Sequence, residues 1–102
     1  MILKVFAIYD SAADYYLPTF TSRSVGEALR DFGSSAKDHN AGQLYSHPAD
    51  FTLFEIGTYD NTSGIVTSHQ AKTNHGTALE IRNRLPDPIP FNKKTYDEGA
   101  ET

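Results

Sequence analysis

Four histidines, His39, His47, His69 and His75, are the side chains of this sequence best suited to bind a metal or move a proton. Their spacing fits neither the i, i+4 helical pair nor the tight cluster of a zinc site, and the chain has no cysteine to add a thiolate ligand or nucleophile. His47, close to Asp50, is the best placed for a specific role, and a hydrogen bond that locks a turn is the simpler account of it. The acid pairs, Asp10 with Asp14 and Asp60 near Glu55, would serve an enzyme as acid and base or as magnesium ligands. Asp10, Asp14 and Asp60 nevertheless stand where strands should stop, and aspartates are favoured there because they bond neighbouring amides. The sequence contains no phosphate loop, nucleophile elbow or H-E-x-x-H motif. These residues lead us to expect a non-enzymatic protein that uses no cofactor and no metal. A metal-dependent nuclease built on the scattered acids and histidines is the weakest rival.

Twelve residues are Phe or Tyr, and rings beside basic groups are what single-stranded nucleic acid stacks on. Tyr15, Tyr16 and Phe20 lie near Arg23 and Arg30 in sequence, so the candidate nucleic-acid-binding set is Lys4, Tyr15, Tyr16, Arg23 and Arg30. The plainer alternative has the tyrosines closing the apolar layer with their hydroxyls in water, and a third use is a subunit contact on an aromatic edge strand. Nine basic residues against thirteen acidic ones give a net charge of −4, which opposes strong non-specific binding to phosphates. Residues 1–84 carry seven basic and nine acidic side chains, so binding requires the few cations to converge on one face.

The elements that would position these groups can be read in order. Residues 1–10 alternate Leu3, Val5, Ala7 and Tyr9 with Ile2, Lys4, Phe6 and Ile8, a strand whose two faces are both largely apolar. Such a strand is interior, or is covered by a helix on one side and a partner subunit on the other. After a turn at residues 10–14, residues 15–21 can pair back as an edge strand, bulged or broken at Pro18, which donates no ladder hydrogen bond. Ser24 and Glu27 match the capping box, and Val25, Ala28, Leu29, Phe32 and Ala36 form one apolar helical stripe. Residues 38–42 read as a loop.

The most strand-like stretch follows at residues 45–60. His47, Pro48 and Asp50 form its opening turn, because Pro48 fixes its own φ and biases His47 away from helix. In the strand itself Phe54 and Ile56 lie on one face, with Phe51, Leu53 and Tyr59 on the other, interrupted there by Glu55 and Gly57. The turn at residues 60–64 leads into a shorter, more polar strand over residues 64–69. Residues 77–82 suit a helical turn or a strand equally. Beyond residue 85 the prolines favour an extended arm and then a polar tail.

Two of these stretches resemble the small non-structural protein of the gokushovirus group of microviruses, bacteriophages with circular single-stranded DNA genomes. One is Ile8-Tyr9-Asp10 with Tyr15 to Pro18 and the helix that follows, similar to the family's I-Y-D turn and Y-x-x-P element. The other is His47-Pro48-Ala49-Asp50-Phe51-Thr52-Leu53 with Gly57-Thr58-Tyr59-Asp60, which looks like its H-P-x-D-aromatic-x-L and G-x-aromatic-D signature. The resemblance implies a protein made in the host cytoplasm, absent from the capsid, and associated with DNA binding and with genome replication or packaging. It supplies no catalytic residues.

The expectation is therefore a small α+β domain over residues 1–84, with strands and helix in the order β-β-α-β-β and an arm over residues 85–102. His47, Pro48, Asp50, Gly57 and Asp60 are assigned to structural turns and packing. The expected partners are single-stranded DNA and a second copy of the chain in a homodimer. A host or phage protein bound through the edge strand or the arm is the alternative, and no membrane is involved, since no apolar run is long enough to span one.

Overall fold

The structure, a computed structural model, describes residues 1–85, so the expected arm lies, apart from Leu85, outside the described residues. Its core is an antiparallel sheet with helices on one face. β1 (Ile2–Asp10) is central; β4 (Phe51–Asp60) pairs with one side of it, and β5 (Ile65–Thr77) pairs with β4. On the other side of β1 sit two short strands, β2 (Tyr15–Tyr16) and β3 (Phe20–Ser22), separated at Pro18 as the missing proline N–H requires. The α+β class and the split edge strand agree with the sequence reading.

Helix α1 (Val25–Ala36) begins where the sequence places it. The Ser24 hydroxyl accepts the Glu27 amide at 3.1 Å, but Glu27 does not complete the capping box: its carboxylate takes the Arg23 guanidinium at 3.2 Å instead. The full reciprocal box occurs at α3 (Ala78–Arg84), where Thr77 and Glu80 cap each other, and this decides for helix at residues that suited strand as well. Two further elements were not expected. His39–Ala41, inside the stretch read as a loop, is a 3₁₀ turn, and Gln43–Ser46, which overlaps the start of the stretch read as strand-like, is a single α-helical turn, α2. A second 3₁₀ turn, Pro48–Asp50, opens β4, with the Asp50 amide bonded to the His47 carbonyl at 3.0 Å. The carbonyl of Asp50 in turn accepts both the amide and the hydroxyl of Ser11, which ties this turn to the first one.

The stripe of α1 meets the sheet as expected. Phe6, Ala28, Phe32, Ala36, Phe51, Leu53, Ala78 and Ile81 form one buried cluster. Full burial of Phe6, Leu53 and Ile81 contributes about 2 kcal/mol each. Gly33 lets α1 lie against α3, because a Cβ there would collide with Leu85 and Ile81. The helices cover the face of β1 that carries Phe6 and Ile8; Leu3, Val5, Ala7 and Tyr9 are on the open face.

β4 departs from simple alternation. Phe6 stands opposite Glu55 but Val5 opposite Gly57, so Ile56 is an extra residue, and every β4 side chain beyond it changes face. Tyr59 thus pairs with Leu3 on the open face, not with Phe51 and Leu53 on the covered one. The last strand is also longer than read, reaching Thr77, because residues 69–72 of β5 stand opposite Ile56 alone and pairing resumes beyond them. Gly57 is needed here: its Cβ would run into the Thr67 carbonyl of β5.

The turns at residues 10–14 and 60–64 have one design. In each, an aspartate carboxylate accepts the amide two residues on, its carbonyl accepts the amide four residues on at 2.7 Å, and the last residue is left-handed. That residue is Asp14 at φ 61° in the first turn and Gly64 at φ 78° in the second. Gly64→Ala, which meets no neighbouring atom, should cost about 1–2 kcal/mol through backbone strain alone, lowering the melting temperature by roughly 4–16 °C in a thermal melt.

Candidate nucleic-acid interface

The open face of the sheet carries a row of rings. Tyr9 and Tyr16, opposite one another on β1 and β2, have ring centroids 4.9 Å apart, and Tyr16 meets the edge of Phe54 at 6.1 Å. The Lys72 ammonium lies over both, 5.7 Å from the Tyr16 ring and 5.8 Å from that of Phe54. Cation and ring faces attract through the aromatic quadrupole. Tyr9 is oriented by its hydroxyl, which donates to the Asp14 carboxylate, and this bond is the main reason its pKa is raised. Tyr16 is 42% exposed, so the row is reachable from solvent.

The sequence-derived set is divided by the fold. Tyr15 and Tyr16 are consecutive in a strand and point to opposite faces; Tyr15, opposite Asp10, leaves the row to Tyr16. Lys4 is on the helix-covered face, its ammonium 3.6 Å from Glu55. Arg23 pairs with Glu27, and Arg30 is exposed on α1, on the far side of the sheet from the rings. Phe20 stacks on Phe6 at 5.5 Å beside the core. Of the five residues, Tyr16 alone joins the ring row, while Tyr9, Phe54 and Lys72 were not in the set. Period-two alternation could have grouped Tyr9 with Tyr16 once their pairing was known, but Lys72 reaches them only through the irregular path of β5.

A second cluster lies on the covered face. Glu55, 8% exposed, receives His69 Nε2 at 2.8 Å on one carboxylate oxygen and His75 Nε2 at 3.1 Å on the other, with Lys4 alongside. Among the described residues no group of three or more His, Cys, Asp or Glu is arranged to hold a metal ion. Burial pushes the Glu55 carboxyl up, but the bonds from His69 and His75 and the charge of Lys4 outweigh it and leave the pKa below the usual value. His47 and Asp50, by contrast, remain turn residues, and Asp60 is held low first by the Thr62 amide, then by Ser63 and the chain's N-terminal ammonium.

A groove bounded by α1, α2 and α3 is lined by Lys37, His39, Tyr45 and Arg82. Its cations serve the backbone: Arg82 Nη1 donates to the carbonyls of Ala36 and Tyr45 at 3.1 and 3.2 Å, and Lys37 donates to that of Leu85. They offset the negative end of α1. Among the described residues no helix is long and apolar enough to cross a membrane.

Together these features define a small α+β protein whose sheet has one helix-covered face and one open, aromatic face. Residues 3–81, from β1 into α3, match the family described as Phage ORF5 protein, and the chain belongs to that bacteriophage family. No curated protein and no solved structure matches it.

The Glu55 cluster makes the fold sensitive to acid in a defined direction. A carboxylate with a lowered folded-state pKa contributes stability that is complete above its unfolded value, near 4.5, and is lost as pH falls through the folded value. Melting temperatures followed from about pH 6 down to about pH 3 should fall, and Glu55→Gln should flatten that fall while lowering stability at neutral pH. A Glu55→Gln profile as steep as wild type would remove Glu55 as the source.

Proposed function

We propose that the protein is a non-enzymatic accessory protein of a gokushovirus-type microvirus that works in the host cytoplasm, binding single-stranded DNA during genome replication or packaging. The observation that carries this reading is Lys72 poised over Tyr16 and Phe54 on a sheet face that, among the described residues, carries no helix. Bases stack on the rings, whatever their sequence, while the ammonium meets the backbone phosphate. With a net charge of −4 the affinity depends on this local arrangement and not on a general basic surface. A homodimer would present two such rows to one strand and raise avidity without a new contact.

A second reading is favoured by a different surface. Ile65 and Val66, 61% and 63% exposed, stand on β5, which among the described residues pairs with β4 alone and is an edge of the sheet. That edge suits a host or phage protein, or a second copy, adding a strand.

Fluorescent oligonucleotides titrated at about 50 mM salt should bind and weaken steeply as salt rises. Tyr16→Ala should lower affinity about tenfold through lost stacking, Lys72→Ala should reduce the salt slope by about one, and Arg30→Ala should change neither. Absence of binding at that salt would overturn the DNA reading and leave the β5 edge as the working surface.

A further inference from the structure

We infer that Glu55, with His69 and His75, is the positioning element for Lys72, a clamp on the covered face that sets the lysine on the open one. The inference rests on the DNA reading for its consequence and on geometry for its content. Four residues of β5, 69–72, stand opposite one residue of β4. Such a segment has no one-to-one register with β4 to fix its path, and left to itself it would sample many conformations. Lys72 is its last residue. Tyr16 and Phe54 attract the ammonium at 5.7 and 5.8 Å, but a contact of this kind at an exposed site is weaker than the entropy cost of ordering one residue.

What closes the segment is Glu55. His69 begins the irregular stretch and His75 follows it, and one carboxylate holds both, at 2.8 and 3.1 Å. Glu55 is itself paired on both sides, opposite Phe6 of β1 and Thr73 of β5, and is 8% exposed. Bonds to a buried carboxylate are stronger than neutral ones and costly to leave unmade. With His69 at the start of the excursion held on the face of Glu55, and Thr73 just past its end paired with Glu55 on that same face, alternation places Lys72, the residue before Thr73, on the other. The charged groups that face this carboxylate are Lys4 from β1 and the two histidines from β5, while Glu80 and Arg84 of α3 line the cleft beside His75. Lys4 adds charge but no tie to β5, so it does not set the loop.

The position of Lys72 can be read without DNA. Its side-chain methylene protons, beside two ring faces, should resonate upfield of an ordinary lysine in a ¹H–¹³C NMR spectrum. His69→Ala should return them most of the way to the ordinary position and lower affinity for an oligonucleotide by about the same factor as Lys72→Ala, roughly fivefold. The double variant should bind no more weakly than Lys72→Ala alone. Glu55→Gln, which keeps one acceptor oxygen, should give an intermediate shift. His69→Ala removes a partly exposed side chain, so it preserves the fold where loss of Glu55 itself would not. Lys72 resonances unmoved in both His69→Ala and Glu55→Gln would overturn the clamp. Shifts that respond as described in a protein that binds no DNA would uphold the clamp and overturn the DNA reading instead.

Discussion

Between Glu55 and Gly57, β4 loses step with both of its neighbours, and the two faces of the protein are set by how it does so. Against β1 the mismatch is one residue, Ile56; against β5 it is the excursion at 69–72. Because a strand's side chains alternate with period two, a single extra residue transfers everything beyond it to the opposite face. Glu55 therefore remains on the covered side, against His69 and His75, while Tyr59 joins Leu3 on the open side. A sheet paired without interruption would have put Tyr59 under the helices and drawn Lys72 into an ordinary ladder.

The two faces then use similar side chains for different ends. On the covered face the apolar stripe of α1 and the short α3 pack directly on Phe6, Phe51 and Leu53, and the polar exception, Glu55, is satisfied by three cation-capable partners. A buried carboxylate with fewer partners would be a severe liability. On the open face Val5 and Ala7 are buried among their neighbours, while the larger rings project beyond them. The basic residues show the same division. Lys4, Arg23, Lys37 and Arg82 hold carboxylates or carbonyls within the fold, Arg82 also lying over the Tyr45 ring, while Lys72 rests on the rings of the open face.

Much of the scaffold was legible beforehand, and for local reasons. The Ser24 cap, the stripe from Val25 to Ala36, the break at Pro18 and the aspartate turns at 10 and 60 each depend on contacts within a few residues, which sequence displays directly. The short helical turns at 39–41 and 43–46 were missed because single turns leave no periodic pattern to detect. The candidate site was less legible. Tyr15 and Tyr16 attract attention as a pair, yet adjacency in a strand separates them, and proximity in sequence to Arg23 and Arg30 says nothing about which side of the sheet a following helix occupies.

By itself, then, the sequence determined the class of fold, the central strand with two apolar faces, the turns, and the absence of thiol chemistry, since all of these follow from residue type and short-range spacing. Tertiary structure decided which rings share a face, which cation joins them, and that two histidines assigned no joint role converge on one carboxylate. These depend on register between β4 and β5, residues 14 and 20 positions apart meeting across an irregular ladder. Register is a collective outcome of packing and turn geometry, so no spacing within a single strand reveals it.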